Sequence, residues 1–338
     1  MAATIIAVIG ATGNQGGSVA RSLLQNPVFK VRAVTRNRES PAGLDLAAAG
    51  AEVVQGDGRN RQDMLEAFQG CWGAFVNLNS DDKVWRDPDG PTEFDVGKII
   101  VDAASEAGVS HLVFSSGPPC AEMTGGKVHM KAMEMKYKIE QHAKKFGKFE
   151  TVTPINPAWF LENFLVKEVA PIFGGFPYFP DDEGYLTFRV PHWGGDERVP
   201  FVSVREDFGD IVHGIFLDPV RYKGRVIHGA SFMEDFGSLV GDFEAVTWRK
   251  SRFQPLLPSW EAFDTCGIPE LEDVKLMFAF TQTTGGRYFA PEPSETDTAT
   301  ELKQATAKAL KRPESEQQLI DAKTWFSKHF TPSAWRSS

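Results

Sequence analysis

Residues 4–24 read TIIAVIGATGNQGGSVARSLL, and the type of fold follows from them. Five β-prone residues, 5–9, run into a glycine cluster, and the apolar spacing after Gly17 suits a helix. A buried strand, a glycine turn and a helix in this order form the phosphate-binding unit of a dinucleotide site. The sequence therefore predicts an α/β fold of Rossmann type, a doubly wound parallel sheet, with an ordinary strand-to-helix turn as the alternative.

The glycines at positions 10, 13 and 16 follow a GxxGxxG spacing. Glycines at this spacing allow a tight turn, close approach of the backbone to a pyrophosphate, and close packing of helix on strand. Free N–H groups at the start of the helix and the positive end of its dipole would hold the diphosphate. The predicted phosphate cradle comprises Gly10, Thr12, Gly13, Asn14, Gln15 and Gly16.

The end of the second predicted strand, residues 31–36, indicates which dinucleotide is bound. Sites selective for NAD usually place Asp or Glu here to hold the ribose 2′-hydroxyl, whereas an Arg accommodates a 2′-phosphate. This chain has Thr35, Arg36, Asn37 and Arg38 in sequence, with no acid among them. We therefore expect NADP(H) as the cofactor, with NAD(H) still open. The alternative is that Arg36 and Arg38 are ordinary solvated loop charges.

Strands and helices alternate up to residue 155, which requires a parallel sheet with right-handed crossovers. Further strands are predicted at 51–57, 74–78, 111–116 and 150–155, and helices at 63–68, 93–107 and 128–146. Ligands of such sheets bind outside the carboxyl ends of the strands. Candidate contacts at these ends are Asp57, Asn77, Ser115 and Pro157. Asn77 and Ser115 have turn formation as the alternative role.

At 338 residues the chain exceeds the comfortable size of one core, so a second lobe is expected. The predicted NAD(P)-binding domain covers 1–158 and is rejoined by about 199–230, through a strand at 199–204, a helix at 206–217 and a strand at 225–228. A smaller mixed α+β lobe covers 159–198 and 231–338. It is expected to contain a strand at 245–249 and helices at 260–279, 295–310 and 314–329.

Composition excludes several functional classes. A formal net charge of −9 without a basic run makes direct nucleic-acid binding improbable. The first apolar run is too short for a membrane span and has no basic residues ahead of it, so a cytoplasmic location is expected. Three widely spaced cysteines give no zinc or disulfide pattern, and no metal site is predicted. A hydrolase elbow with the GxSxG spacing is also absent from the sequence.

Four segments together resemble the NmrA-like family, atypical relatives of the short-chain dehydrogenases/reductases. They are the IAVIGATGNQGG opening, the Val-Thr-Arg-Asn strand end at 34–37, the Gln-Gly-Asp turn at 55–57 and the WFLENF segment at 159–164. The resemblance covers most of the chain through about residue 228. It implies one of two functions: an NADP-dependent reductase, like the isoflavone-reductase-like enzymes, or a dinucleotide-binding redox sensor that holds a protein partner such as a transcription factor.

The resemblance also identifies Lys136 as the residue that would contact the nicotinamide ribose. In the parent superfamily a Tyr stands four residues before this Lys, but here that position is Ala132. Tyr137 does not substitute easily, because adjacent helical residues point about 100° apart. His129 lies on the same helical face as Lys136, about 10 Å away along the axis, and could act if the helix begins after it. Lys136, His129 and ordered water are therefore the candidate proton donors.

The leading hypothesis is an oxidoreductase that reduces a small aromatic or polyketide-like carbonyl or enone, in metabolism of the fungal secondary type. A non-catalytic NAD(P) sensor is the alternative, and a homodimer is compatible with the sequence. Aromatic residues of the second lobe either wall a pocket for a flat apolar substrate or form its core. They are Phe160, Phe164, Phe173, Phe176, Tyr178, Phe179 and Trp193.

Overall fold

The computed structural model describes residues 4–289 and 291–330; the predicted lobes also include residues 1–3, 290 and 331–338, which lie outside the described residues. The strands are β1 (Thr4–Ile9), β2 (Phe29–Thr35), β3 (Glu52–Gln55), β4 (Gly73–Val76), β5 (His111–Ser115), β6 (Thr151–Pro157), β7 (Trp159–Phe160), β8 (Leu186–Phe188), β9 (Val199–Val202), β10 (Ile227–Gly229), β11 (Phe232–Glu234) and β12 (Ser251–Phe253). The α-helices are α1 (Asn14–Leu24), α2 (Pro41–Ala48), α3 (Arg61–Phe68), α4 (Glu93–Glu106), α5 (Cys120–Met123), α6 (Lys131–Phe146), α7 (Gly209–Leu217), α8 (Phe236–Thr247), α9 (Pro269–Thr284), α10 (Asp297–Ala309) and α11 (Ala322–Phe330).

Seven parallel strands form the main sheet in the order β10-β6-β5-β4-β1-β2-β3. The register pairs Ile6 with Val31 on one side and with Gly73 on the other. The strand order reverses at β1, where the chain first moves outward to β2 and β3 and then returns to β4. This is the doubly wound Rossmann arrangement that the sequence predicts, and its crevice lies outside the carboxyl ends of β1 and β4.

Local sequence explains where the helices of this sheet begin. In α4, Thr92 and Asp95 form a capping box, each side chain accepting a hydrogen bond from the backbone N–H of the other. Ser40 caps α2 and Pro41 occupies its first turn, which is an ordinary start signal for a helix that is not among those predicted. Helix α6 begins at Lys131, three residues later than predicted, so His129 precedes the helix.

The C-terminal part of the chain differs from its prediction in two strands and in the start of two helices. Helix α9 begins at Pro269 and α11 at Ala322, because residues 260–262 and 314–316 form separate 3₁₀ turns. Strand β9 pairs with β11 and β7 in a separate three-stranded sheet, so the predicted return to the main sheet at 199–204 is wrong, whereas β10 does join β6. The predicted strand at 245–249 is also wrong. These residues end α8, and Trp248 closes the helix in the left-handed conformation. The strand of this region follows the helix as β12 and pairs with β8.

A buried polar network joins the main sheet's first helix to the C-terminal region. The ammonium of Lys303 in α10 lies 2.9 Å from Asp207 and 3.0 Å from Asp210. Ser22 in α1 donates a 2.6 Å hydrogen bond to Asp210 and lies 3.1 Å from Nδ1 of the fully buried His213. Because α7 carries Asp210 and His213, it links α1 to α10.

Candidate functional site

A cleft of about 800 Å³ opens at the carboxyl ends of the central strands. It includes the reversal point between β1 and β4, where ligands of doubly wound sheets bind. Eleven of the predicted site residues line it: Gly10, Thr12, Gly13, Asn14, Gln15, Arg36, Asp57, Asn77, Ser115, Lys136 and Pro157. The fold thus brings together residues that lie up to 147 positions apart in the sequence, from Gly10 to Pro157.

The glycine turn requires its glycines. Gly10 has φ of +75°, and a Cβ there would lie 2.9 Å from the carbonyl oxygen of Asn77. A Cβ on Gly16 would lie 2.3 Å from the carbonyl oxygen of Gly10, so Gly16 packs against the turn and does not line the cleft. Gly13 is the N-cap of α1, and no side chain caps this helix. The first turn of α1 therefore offers backbone N–H groups to the cleft beside Asn14 and Gln15.

Polar side chains at the next two strand ends complete the cleft floor. The buried Oδ1 of Asn77 has no hydrogen-bond partner among the described residues. Ser115 donates a 2.7 Å hydrogen bond to the Gln15 side chain, which fixes the first turn of α1 against β5. A buried acceptor without a donor costs free energy, so Asn77 is poised to accept a hydrogen bond from a bound molecule.

Two arginine–aspartate pairs lie where β2 and β3 end. The guanidinium of Arg36 contacts Asp82 at 2.7 Å, and that of Arg59 contacts Asp57. The hydrogen bond from Arg59 holds the pKa of the Asp57 carboxyl below its usual value. Arg38 lies outside the cleft lining and pairs with Glu39, which agrees with the solvated-charge alternative for that residue.

Lys136 is held at the cleft by two short contacts. Its ammonium donates to the carbonyl oxygen of Leu78 at 2.7 Å and to Oε1 of Glu93 at 2.8 Å. Ser80 adds a 3.2 Å hydrogen bond to the same carboxylate oxygen. The side chains of Lys136 and Glu93 are 12% and 5% exposed, so this is a buried ion pair. An ammonium has three donors, and two of them are used here.

Sequence reasoning missed Glu93, although the helix carries a signal for it. Glu93, Gly97, Ile100 and Val101 are all buried and recur at the spacing of one helical face. A glutamate on the apolar face of an amphipathic helix needs a buried partner. Glu93 is also the first residue of α4. From the sequence alone, it therefore looks like an acid that interacts with the positive end of the helix dipole.

Neither Tyr137 nor His129 lines the cleft beside Lys136. Ala132 lines the cleft one turn before Lys136, at the position where the superfamily places Tyr. Tyr137 instead lines a shallow groove on the outer side of α6 with Phe94 and His142. His129 has a side chain that is 68% exposed, lies 3.5 Å from Glu134 and does not line the cleft. The structure therefore does not bring His129 to Lys136.

The far end of the cleft is formed partly by the smaller lobe. Met133, Pro157, Phe160, Asn163 and Asp273 line it. Most of the aromatic residues considered for a substrate pocket pack into the core of the lobe instead, around Trp159. The core residues are Phe164, Phe173, Phe176 and Trp193. Of the seven aromatics, Phe160 is the one that lines the cleft.

Across residues 4–289 and 291–330, no group of three or more His, Cys, Asp or Glu side chains is arranged to hold a metal ion. No helix in the same ranges is long and apolar enough to cross a bilayer.

The doubly wound sheet, its glycine turn and the cleft at the strand ends define a protein of the dinucleotide-binding Rossmann class. Residues 2–311 match the profile of the NmrA-like family. The chain belongs to this family, which confirms the resemblance carried by its sequence motifs.

This chain is similar in sequence to proteins named as oxidoreductases, and it shares its fold with a protein named as a transcriptional regulator. It is 74% identical over 329 residues to the NmrA-like family domain-containing oxidoreductase FrzB from Cladobotryum sp, covering 96% of this chain and 98% of that protein. The crystal structure of NmrA, a negative transcriptional regulator, in complex with NAD has a TM-score of 0.74 and 20% identity, covering 98% of this chain and 96% of NmrA. An NADPH-dependent quinone oxidoreductase from Escherichia coli, complexed with NADPH, has a TM-score of 0.63 and 17% identity, covering 96% and 99%.

Proposed function

We propose that this protein is an NADP(H)-dependent oxidoreductase that reduces a small aromatic or polyketide-like carbonyl or enone. The observation that carries the proposal is the position of Lys136, whose buried ammonium lines the same cleft as the glycine turn. The names of its fungal relatives as oxidoreductases support the reaction class, and their origin supports a role in secondary metabolism.

The cleft residues fit a dinucleotide. Adding a Cβ at Gly10 or Gly16 would fill the space that the turn needs, and α1 begins without a side-chain cap. The unpartnered Oδ1 of Asn77 supplies an acceptor in the same cleft. Gly10, Gly13, Asn14 and the first turn of α1 would hold the diphosphate, while Arg36 and Asp57 would lie at the adenosine end.

A nicotinamide cofactor supplies the hydride when it is bound, and the protein orients and protects it. Lys136 keeps its ammonium fixed through Leu78 and Glu93 and retains one donor for a ribose hydroxyl or a substrate oxygen. Ser115 and Gln15 lock the first turn of α1 against the sheet. Met133 and Phe160 would present an apolar wall to the substrate, which suits an aromatic or enone carbon skeleton.

Proton delivery is assigned to Lys136 or to water that it orients. The exposure of His129 and its position outside the cleft speak against a role for that residue. Because Ala132 replaces the usual Tyr, no phenol is available one turn before Lys136. An ammonium can both donate a proton and stabilise negative charge that develops on a carbonyl oxygen.

The test is NADPH oxidation by the purified protein with a panel of aromatic ketones, enones and quinones, followed by absorbance. Lys136→Ala is expected to abolish turnover while retaining most of the affinity for NADPH. Lys138→Ala removes an exposed lysine two residues along the same helix and is expected to behave as wild type. Equal turnover in the Lys136→Ala variant would refute the role of Lys136.

A non-catalytic redox sensor is the second candidate. Ala132 in place of Tyr favours it, as does the fold shared with a negative transcriptional regulator. In a sensor, the oxidised and reduced dinucleotides would change the affinity for a protein partner to different extents. By reciprocity, the partner would change the affinity for each dinucleotide by the same factor. Pull-down from cell extract with NADP⁺ or NADPH should then recover a partner in one state. Recovery of none in either state would count against the sensor.

A further inference from the structure

The cleft at the carboxyl end of β2 contains three aspartates and two arginines. In Rossmann folds this strand end faces the ribose position that carries a hydroxyl in NAD and a phosphate in NADP. Asp57, Asp81 and Asp82 line this part of the cleft with Arg36 and Arg59. The two arginines and three aspartates give this part of the cleft a formal charge of −1. A 2′-phosphate carries about −2, so this net charge does not favour its binding. Arg36 alone therefore does not make this strand end a cationic site.

Each arginine already has a carboxylate partner. Arg59 binds both carboxylate oxygens of Asp57, with contacts from 2.5 to 3.1 Å. Arg36 donates from Nη1 to Oδ2 of Asp82 at 2.7 Å. A 2′-phosphate that recruits Arg36 must therefore compete with the Asp82 carboxylate for the same donor.

The two members of the Arg36–Asp82 pair are not equally fixed. The side chain of Asp82 is 19% exposed, whereas that of Arg36 is 63% exposed. Oδ1 of Asp82 also accepts a 3.2 Å hydrogen bond from the backbone of Val84, which caps the short 3₁₀ turn Lys83–Arg86. Asp82 is therefore anchored by the backbone, and the guanidinium of Arg36 is the group that can change partners.

We propose that Asp82 sets the preference between NADP(H) and NAD(H) by competing with the ribose 2′-phosphate for the guanidinium of Arg36. The inference rests on the proposed dinucleotide binding and adds a specificity-determining residue to it. When NADH binds, Arg36 can keep its ion pair with Asp82, because the unphosphorylated ribose does not need the guanidinium. When Arg36 turns to a 2′-phosphate, the ion pair with Asp82 is lost and the carboxylate repels the phosphate. Asp82 therefore lowers the advantage that Arg36 gives to NADPH over NADH.

The experiment measures the dissociation constants of NADPH and NADH for the full chain by titrating the fluorescence of the reduced nicotinamide. Asp82→Asn keeps the Oδ1 acceptor that caps the turn and removes the negative charge. It is expected to tighten NADPH binding roughly 5-fold, the scale of a partly exposed ion pair, and to change NADH binding less than about 2-fold. Asp81→Asn removes the same charge from the adjacent exposed position. It is expected to change the ratio of the two constants much less.

A second variant separates competition from general electrostatics. In an Arg36→Gln background the preference for NADPH should fall. Adding Asp82→Asn should then raise it by much less than in the wild-type background, because only the repulsion between the carboxylate and the phosphate is relieved. Equal effects of Asp81→Asn and Asp82→Asn on the ratio, or an unchanged ratio in Asp82→Asn, would overturn the role of Asp82 alone. Failure of wild-type protein to bind either dinucleotide would overturn the proposed function as well.

Discussion

Replacing Lys136 by Met should leave the Glu93 carboxylate buried without its cation. At the observed 2.8 Å and an effective dielectric constant near 20, the attraction between the two charges is about 6 kcal/mol, part of which offsets the desolvation of both groups. Breaking a buried pair by removing one partner costs about 3–5 kcal/mol. We therefore expect Lys136→Met and Glu93→Gln each to lower the free energy of unfolding by about 3 kcal/mol.

The double variant is expected to cost less than the sum of the single variants by about 2–3 kcal/mol, because it leaves no uncompensated charge. Urea unfolding followed by tryptophan fluorescence measures all four proteins of this double-mutant cycle. The matched control is the exposed pair of Arg61 and Glu106, for which the coupling should stay below about 1 kcal/mol. A coupling for Lys136 and Glu93 no larger than that of the control pair would refute the buried ion pair.

Two further predictions concern the glycine turn and the polar network. Gly16→Ala places a Cβ 2.3 Å from the Gly10 carbonyl oxygen, so the turn must shift, and we expect NADPH binding to weaken at least about 10-fold by titration. Gly241→Ala, in open space within α8, should leave that binding unchanged, and equal affinities in the two variants would contradict the steric argument. Burial lowers the pKa of His213 to about 4, whereas the unfolded chain titrates near 6.5, so the unfolded state binds more protons as the pH falls below 6.5. Stability should therefore fall by about 2 kcal/mol more between pH 7 and pH 5 in wild type than in His213→Gln, and equal pH dependence of urea unfolding would argue that His213 titrates normally.

The Rossmann core was predictable because its signals are local. The apolar run of β1, the glycine turn and the alternation of strands with helices each depend on neighbouring residues, and all three point to the same sheet. The phosphate cradle follows from that sheet, because the carboxyl ends of parallel strands meet at one edge. This rule alone predicts Asn77 and Ser115 as site residues, and both line the cleft.

The rest depended on contacts between distant residues. Asp82 lies 46 positions from Arg36, and no local pattern links a loop aspartate to that arginine. The strand predicted at 199–204 exists as β9, but its partners in the smaller sheet could not be read from its own residues. Likewise, the aromatic residues between 164 and 193 have the composition of a pocket wall. Their packing around Trp159 shows that they form the core of the lobe instead.

Lys136 also closes a loop. Its ammonium binds Leu78 and Glu93 at once, so it holds together the two ends of the 14-residue segment 79–92. The first half of this segment contributes Asp82 and Trp85 to the cleft. When the two ends of a segment are held together, its length and side chains can vary while the residues that flank it keep their positions. Transplanting this segment between fungal relatives should therefore carry ligand preference with it and leave the sheet intact.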